Sequence, residues 1–332
     1  MIDRRAFITL VGGAAAAWPR ATWAQSPGRV RRVAVLMGYS ESDPEAKALL
    51  SAFTQGLSEL GWADGRNLRM DIRWAPGSVD LMRVYAKELV DLQPDVILAN
   101  STPVTAALQR ATQTIPIVFV IVSDPVGQGF VASLARPGGN ITGFSQVQTA
   151  MTSKWLELLK ELAPGLKRAA MMFNPDTAPY IKSFFVPSFE AAVQSFHLGA
   201  IMAPVRSDAE IEAAIAALGH EPRGGLLVMP DNFVEIHRAT IIAATARNHV
   251  PAVYQTPLQA RNGGLLSYGA DFEDLFHRAA RYVDSILRGL KPSELPVQLP
   301  IKYLMVINLK TAKALGLTIP PSLLRQADGV IQ

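Results

Sequence analysis

Short polar segments follow most of the apolar stretches of this sequence, and they hold the side chains best suited to contact a ligand. Six segments combine hydroxyl, amide and carboxylate groups: 38–41, 100–102, 123–124, 174–176, 230–232 and 254–256. Their hydroxyls and amides can bind a carboxylate, while Asp124 or Asp231 can pair with an ammonium. No cluster of lysine or arginine accompanies them. The chemistry that they favour is recognition of a small polar or zwitterionic ligand.

The same residue types are expected wherever a strand runs into a helix, because the first N–H groups of a helix need acceptors. Capping alone can therefore account for any single one of these side chains, as can ligand contact. Asp231 and Asn232 favour ligand contact, since two adjacent polar side chains exceed what one cap requires. Four tyrosines supply rings that can stack on an apolar or aromatic part of a ligand: Tyr39, Tyr180, Tyr254 and Tyr268.

Motifs for catalysis, metal binding and nucleotide binding are missing from the sequence. The chain has no cysteine, which excludes disulfides, thiolate metal sites, iron–sulfur clusters and cysteine nucleophiles. Its five histidines are not spaced as metal pairs and no motif joins them to a nucleophile. Gly127 and Gly129 lack the third glycine of a dinucleotide fingerprint, and they follow the fourth predicted strand instead of the first. We therefore expect no catalytic residue, no metal and no cofactor.

The first 24 residues have the features of an export signal. Arg4 and Arg5 precede an apolar run of about a dozen residues, and small residues lead up to Ala24. We predict cleavage after Ala24 and a periplasmic protein, exported by the twin-arginine route or by the Sec route. A cytosolic N-terminal helix is the alternative. No later stretch approaches about 18 apolar residues, so we expect no membrane-embedded segment in the mature chain.

The charge of the chain does not indicate a nucleic-acid partner. The formal net charge is +4, and the export segment contributes half of it. The remainder carries too little excess charge to predict a basic patch. With 332 residues, of which 49% are hydrophobic, the chain has the size and composition of a globular protein of two domains.

Apolar strand-like segments alternate with amphipathic helical patterns along the mature chain. Strands are predicted at 32–38, 69–74, 95–99, 116–122, 168–173, 200–204, 225–229 and 251–254. Helices are predicted at 44–60, 79–92, 103–112, 150–162, 179–197, 208–218, 232–248 and 271–288. This alternation is typical of βαβ units, in which a parallel sheet is covered on both faces.

The two halves of the chain repeat each other. The segments that begin at Arg32, Asp95 and Thr114 resemble those that begin at Arg168, Gly225 and His249, with offsets of 136, 130 and 135 residues. We therefore predict an α/β fold of two doubly wound parallel-sheet lobes. Lobe 1 comprises 29–143 plus about 267–292, and lobe 2 comprises 144–266 plus about 296–332. Three predicted crossings, at 135–145, 267–270 and 292–300, form a hinge, and the strand ends open onto a cleft between the lobes.

Several motifs resemble the ABC-transporter substrate-binding family of the tryptophan/tyrosine type. The most specific is DPVGQGFVASLARPGGNITGFS at 124–145. It is accompanied by DVILANSTPVTAAL, MPDN, GGLLSYGAD and VINLKTAKALGLTIP, and the resemblance covers 30–321. It implies the fold of type I periplasmic binding proteins. It also implies that the protein binds a small solute, such as an aromatic or aliphatic amino acid, and delivers it to a membrane permease driven by an ATPase.

The same resemblance implies a set of ligand-binding residues in the polar loops between the lobes. On lobe 1 they are Ser40, Asn100, Ser101, Thr102, Ser123 and Asp124; on lobe 2 they are Asn174, Asp231 and Asn232, with Tyr180, Tyr254 and Tyr268 as further candidates. Family members with a lipobox cysteine are tethered to the membrane. This chain has no cysteine, so we expect a free monomer in the periplasm.

Two other classes of protein remain as alternatives. One is a two-domain α/β enzyme with an active site between the domains, which the missing glycine fingerprint and acid/base pair argue against. The other is a ligand-sensing repressor with an effector domain of the same fold. Such a repressor places a helix-turn-helix before the first lobe, where this chain has the predicted export signal.

Overall fold

The computed structural model describes residues 29–220 and 223–332. Arg31–Gln332 form one compact unit. The predicted export signal, with Arg4, Arg5 and Ala24, lies outside the described residues. None of the described helices combines the length and the apolar character needed to cross a lipid bilayer.

Two sheets, one of five strands and one of seven, form the centre of the molecule. The first contains β1 (Arg31–Met37), β2 (Leu68–Trp74), β3 (Val96–Asn100), β4 (Ile117–Val122) and β5 (Ile141–Ser145). The second contains β6 (Arg168–Phe173), β7 (Gly199–Pro204), β8 (Gly224–Val228), β9 (Ala252–Tyr254), β10 (Leu266–Ala270), β11 (Tyr303–Asn308) and β12 (Gly329–Ile331). The orders are β2-β1-β3-β4-β5 and β12-β11-β10-β9-β8-β6-β7.

The order β7-β6-β8-β9-β10 of the second sheet repeats that of the whole first sheet. All neighbouring strands are parallel except β10 and β11, which are antiparallel. The internal repeat and the predicted fold class are therefore confirmed. We call the part of the chain built on the first sheet lobe 1 and the part built on the second sheet lobe 2.

Helices cover both faces of each sheet. In lobe 1 they are α1 (Pro44–Glu59), α2 (Val79–Asp91), α3 (Thr102–Ala111) and, from later in the chain, α11 (Phe272–Leu287). In lobe 2 they are α4 (Met151–Leu162), α5 (Ile181–Phe184), α6 (Val186–Ser195), α7 (Asp208–His220), α8 (Asn232–Ile236), α9 (Arg238–Arg247), α10 (Pro257–Arg261), α12 (Leu309–Ala314) and α13 (Pro321–Gln326).

The burial of both faces explains why the strands are apolar throughout. Val33 and Val35 of β1 pack in the core that α1 and α11 complete, whereas Ala34 and Leu36 pack in the core of α2 and α3. A strand that is covered on both sides needs apolar residues at every position, not at alternate ones. Gly56 lets α1 approach α11 closely, because a Cβ there would lie 2.7 Å from the His277 carbonyl oxygen.

The chain passes between the two sheets three times, after β5, after β10 and before β11. The segments predicted as crossings at 135–145 and 267–270 contain strands β5 and β10. The chain passes from one lobe to the other only after each of these strands has ended. Each strand pairs closely with its neighbour at a glycine. A Cβ on Gly143 would lie 2.0 Å from the Phe119 carbonyl oxygen, and one on Gly269 would lie 2.0 Å from that of Gln255. The glycines that suggested a loop therefore permit close strand pairing.

The predicted helices and strands differ from the structure in a few further places. The helix predicted at 179–197 is two helices, α5 and α6, and Pro187 stands in the first turn of the second one. The helix predicted at 232–248 also divides, at His237, into α8 and α9. Three short helices near the carboxyl end of the chain and the edge strand β12 have too few residues for a periodic pattern.

Candidate functional site

A small cavity lies between the lobes, at the carboxyl ends of the parallel strands, with free space of about 30 Å³. Lobe 1 contributes Tyr39, Ser101, Thr102, Pro103, Ile121, Gln146 and Phe272. Lobe 2 contributes Tyr180, Met229, Pro230, Asp231, Asn232, Glu235, Gln255 and Thr256. The lining therefore combines aromatic rings and apolar side chains with hydroxyl, amide and carboxyl groups.

The backbone of lobe 1 is strained where it reaches the cavity. Ser101, the N-cap residue of α3, has φ 83° and ψ 160°, a conformation that only glycine adopts without strain. Ile121 interrupts the pairing of β4 with β5. Its φ is 60°, a backbone conformation that β-branched residues rarely adopt. Asp124 follows with φ 48°. Such strained residues cluster at functional sites.

A hydrogen-bond network holds the lobe 1 loops together and leaves one hydroxyl free. The backbone N–H of Ser123 donates to Thr102 Oγ1 at 3.1 Å, and Gln146 Nε2 donates to Ser123 Oγ at 2.9 Å. Asn100 Oδ1 accepts from the Gly38 N–H at 3.1 Å. The Ser101 hydroxyl is buried on the cavity wall and has no hydrogen-bond partner. It is available to a ligand.

Asp231 connects two loops of lobe 2. Its carboxylate accepts hydrogen bonds from the Thr177 hydroxyl at 2.5 Å and from the backbone N–H groups of Asn174 at 2.6 Å and Phe233 at 3.1 Å. Burial raises the pKa of Asp231 to about 6, while these donors act in the opposite direction. Its neighbour Tyr180 donates its hydroxyl to the Pro230 carbonyl oxygen. Asp231 thus caps α8 and fixes the adjoining loop.

Contacts between the lobes surround the cavity. Asn232 Nδ2 donates to the Gly38 carbonyl oxygen at 3.0 Å. Arg238 and Asp43 form an ion pair at 2.8 Å, with side chains that are only 12% and 11% exposed. Ser123 and Thr102 on lobe 1 also act on Tyr180 of lobe 2, since they lower the pKa that burial raises. The lobes are therefore closed on each other around the cavity.

A second feature of the closed cleft is a group of acidic side chains beside the cavity. Glu235 lines the cavity from lobe 2, and burial together with Glu45 of lobe 1 raises its pKa. Burial raises the pKa of Glu45 to about 7 and that of Glu235 well above its ordinary value. Burial, reinforced by these carboxyl groups, also raises the pKa of Tyr39.

Five of the residues proposed from the sequence line the cavity: Ser101, Thr102, Tyr180, Asp231 and Asn232. Three others, Asn100, Ser123 and Asn174, are buried directly behind the lining and hydrogen-bond to the loops that carry it. Whether these residues bind a ligand stays a prediction.

The other four residues lie elsewhere. Ser40 bonds to the Ser42 hydroxyl at 2.9 Å on the surface. Asp124 turns back to accept the Gly127 N–H at 2.9 Å, and burial raises the pKa of its carboxyl. Two tyrosines point into other surroundings: the Tyr254 hydroxyl meets that of Thr245 at 2.9 Å in the core, and Tyr268 stacks on Tyr303 with ring centroids 5.9 Å apart.

Sequence reasoning missed several lining residues. Ile121 and Met229 occupy the carboxyl ends of strands directly before the polar loops, which is the position that could have identified them. Gln146 lies just beyond β5, and Phe272 is the first residue of α11. Glu235 carries no local signal at all, because its surroundings depend on the other lobe.

The described residues contain no group of three or more acidic or histidine side chains arranged to hold a metal ion. Two of the histidines form surface pairs. His237 Nδ1 lies 2.7 Å from Asp208, and His277 Nε2 lies 2.9 Å from Glu59.

Two lobes of equivalent topology with a polar and aromatic cavity between them define a bilobal binding protein for small molecules. The family model described as "ABC transporter substrate binding protein" matches residues 33–331. The chain belongs to this family, and the resemblance found in the sequence is confirmed. It is a substrate-binding protein of the ABC transporter class.

Relatives of the chain include proteins with known ligands. The tyrosine-binding protein of Clostridioides difficile (strain R20291) is 28% identical over 274 residues, which cover 82% of this chain and 78% of the relative. An ABC domain from Streptococcus pneumonia, solved in complex with L-Trp, is 26% identical with a TM-score of 0.83, covering 91% of this chain and 99% of that chain.

A third relative differs in conformation. It is a substrate-binding protein with adhesive properties from Clostridium difficile, solved in a ligand-free, open structure. Its identity is again 26%, its TM-score is 0.67, and the match covers 91% of this chain and all of that chain. At equal identity, the chain thus superposes better on the L-Trp complex than on the open structure. This agrees with the contacts between the lobes.

Proposed function

We propose that the protein is the solute-binding component of an ABC importer and that it takes up an aromatic amino acid in the cavity between its lobes. In this proposal the lobes close on the amino acid in the periplasm, and the closed protein delivers it to a permease driven by an ATPase. The two relatives that bind tyrosine and L-Trp support the class of ligand.

The observation that carries the proposal is the mixed lining of the cavity. Tyr39, Tyr180 and Phe272 offer rings for an aromatic side chain. The free hydroxyl of Ser101 stands at the amino end of α3, where the helix dipole favours a carboxylate. The carboxyl group of Glu235 borders the same space. An α-amino acid with a ring combines the three groups that these residues recognise.

A thermal-shift and calorimetric screen of the purified mature protein tests the proposal. We expect L-tyrosine or L-tryptophan to raise the melting temperature, because a ligand at a hundredfold excess over Kd stabilises the folded state by about 2.7 kcal/mol. L-Lysine and L-glutamate serve as comparison ligands of similar backbone without a ring. Turnover of an amino acid without a saturable thermal shift would favour an enzyme with an inter-domain active site.

We also propose that the closing motion takes place about the three chain crossings. The moving bodies then correspond to the two lobes predicted from the sequence, with β5 moving as part of lobe 1 and β10 as part of lobe 2. Small-angle scattering with and without ligand should show a smaller radius of gyration with ligand, at the molecular mass of a monomer. An unchanged radius at saturating ligand would contradict closure.

Export is part of the same proposal. Expression of the full chain in a Gram-negative host should yield a periplasmic protein whose amino-terminal residue is Gln25, as determined by Edman degradation or mass spectrometry. Replacement of Arg4 and Arg5 by lysine should block export by the twin-arginine route and leave export by the Sec route intact. A full-length protein retained in the cytoplasm of the unaltered strain would contradict export.

A further inference from the structure

A group of buried charges joins the lobes beside the cavity. Asp43 and Glu45 come from the start of α1 in lobe 1, and Glu235 and Arg238 come from α8 and α9 in lobe 2. Arg238 Nη2 donates to Asp43 Oδ2 at 2.8 Å, so this guanidinium is committed to Asp43. Its Nη1 atom donates to the backbone carbonyl of Glu235 at 3.0 Å.

The two glutamates are left without hydrogen-bond donors. Glu235 is only 8% exposed, and its Oε1 atom has no hydrogen-bond partner, with Arg238 Nη1 at 3.5 Å. Glu45 is half-buried, and its Oε2 atom is also enclosed without a partner. Three carboxyl groups therefore share one guanidinium. An uncompensated charge in such a place costs several kcal/mol, by the general rule for buried ions.

The other groups that face the glutamates do not supply the missing positive charge. Glu273 raises the pKa of Glu45 further, and Tyr39 is a neutral phenol, since burial and these carboxyl groups raise its own pKa. Arg261 and Asp271 line a second groove together with Glu45, and Arg261 is not among the groups that most shift the pKa of either glutamate. Asp271 is itself paired with Lys302 at 2.6 Å.

The carboxyl groups of Glu45 and Glu235 influence each other's protonation. Each of the two side chains perturbs the pKa of the other across the boundary between the lobes. Two carboxylates are acceptors only, so a hydrogen bond between them exists only when one is protonated. Burial favours this state, since it raises the pKa of Glu45 to about 7 and that of Glu235 well above its ordinary value.

We propose that the ammonium group of the ligand binds the Glu235 carboxyl and displaces the proton that Glu235 shares with Glu45. This inference rests on the proposed function, and it adds the residue that selects for an α-amino group. The ammonium enters with its charge, the carboxyl releases its proton to the buffer, and the resulting carboxylate pairs with the ammonium. No covalent bond changes. The free Ser101 hydroxyl on the same cavity wall remains for the carboxylate of the ligand.

Isothermal titration calorimetry of the mature protein with L-tyrosine and L-tryptophan tests the proposal. Titrations at about pH 6.5 in phosphate and in imidazole separate proton release from intrinsic heat, because the two buffers differ in ionisation enthalpy. We expect the release of about one proton per ligand in that range and a smaller release at about pH 8.5, where Glu45 is already ionised. The affinity should rise with pH over the same interval.

Three variants distinguish the roles of the glutamates. Glu235→Gln should weaken L-tyrosine binding on the order of tenfold or more, abolish proton release, and remove the preference over 3-(4-hydroxyphenyl)propionate, which lacks the amine. Glu45→Gln should retain affinity without proton release, since its amide donates to Glu235 as the protonated carboxyl does. Glu212→Gln, on the exposed face of α7, should behave as the unaltered protein.

The outcomes separate this inference from the proposed function. Tight binding of L-tyrosine or L-tryptophan with no proton exchange in any buffer, and with unchanged affinity in Glu235→Gln, would overturn the inference and leave the proposed function standing. Failure of both amino acids and of 3-(4-hydroxyphenyl)propionate to bind would overturn both. Thermal unfolding of each variant confirms that it is folded, so a loss of affinity is assigned to the site.

Discussion

The side-chain amide of Asn232 in lobe 2 donates to the Gly38 carbonyl oxygen of lobe 1 at 3.0 Å. This contact is possible only because residue 38 lacks a side chain. A Cβ there would lie 2.4 Å from Asn232 Oδ1 and 3.1 Å from Ser101 Oγ. The glycine thus sets how closely the lobes approach each other beside the cavity.

Gly38→Ala should therefore weaken ligand binding by about tenfold or more, because the added methyl group holds the lobes apart. Calorimetric titration with L-tyrosine measures the effect. Gly139→Ala is the matched control, since a Cβ on Gly139 meets nothing within 4 Å. If Gly38→Ala bound as tightly as the control, the approach of the lobes at this point would not limit binding.

The backbone of Ser101 predicts that two substitutions at this residue differ in their effect on stability. Ser101→Ala removes the free hydroxyl but keeps the conformation at φ 83° and ψ 160°. Ser101→Gly removes the hydroxyl and also the strain, which costs of order 1–3 kcal/mol for a residue with a side chain. Urea unfolding without ligand should show that the glycine variant is about 1 kcal/mol more stable than the alanine variant.

Ligand binding should weaken in both Ser101 variants if the hydroxyl contacts the ligand carboxylate. An alanine variant that equals the glycine variant in stability would show that the strain at this residue is relaxed in solution. Equal affinity of both variants and the unaltered protein would remove Ser101 from the proposed site.

The architecture could be predicted from the sequence because it depends on local patterns. Buried strands such as Ile117–Val122 are apolar at every position, and the same order of strand, loop and helix recurs in both halves of the chain. The strand β5 was harder to recognise, because Gly143 and its neighbours read as a turn. Their close approach to Phe119 is a property of the sheet, not of the segment.

The site could be predicted only in part, since side-chain direction depends on tertiary contacts. Asp124 and Asp231 occupy similar positions after their strands, yet Asp124 turns back onto Gly127 while Asp231 lines the cavity. Tyr254 ends the buried strand β9, and its hydroxyl meets that of Thr245 in the core. Glu235 acquires its unusual surroundings only from Glu45 of the other lobe.

Buried carboxyl groups predict how stability depends on pH. The pKa is about 7 for Glu45 and about 6 for Asp231, whereas in an unfolded chain glutamate and aspartate titrate near 4.3 and 3.9, respectively. The folded state therefore binds more protons than the unfolded state between about pH 4.5 and 6. The free energy of unfolding should decrease as pH rises through this interval, by about 1.4 kcal/mol per pH unit for each extra proton bound.

Urea unfolding of the ligand-free protein at pH values from about 5 to 8 measures this dependence. Glu45→Gln should reduce the slope, because it removes one of the groups that take up a proton on folding. The carboxyl groups with lowered pKa, such as that of Asp208 beside His237, contribute stability that is lost only at more acidic pH. A free energy of unfolding that rises with pH between about 5 and 7 would contradict the prediction.

Asp124 was an attractive ligand contact in the sequence, but its carboxylate accepts the Gly127 N–H at 2.9 Å and does not line the cavity. Asp124→Asn keeps an acceptor for this N–H, so we expect the affinity for L-tyrosine to change by less than about twofold. The measurement is the same calorimetric titration. A loss of tenfold or more would show that the Asp124 side chain turns toward the ligand when it binds.

Asp231 should behave differently, because its carboxylate serves three donors of its own lobe. Asp231→Asn has only one acceptor oxygen, so its NH₂ group faces either the Thr177 hydroxyl or the Asn174 N–H. Leaving one of these buried donors unsatisfied costs about 1–3 kcal/mol. We expect urea unfolding to show this loss without ligand, with Thr177→Val losing less, since it removes only one partner. A variant with unchanged stability and greatly reduced affinity would instead make Asp231 a direct ligand contact.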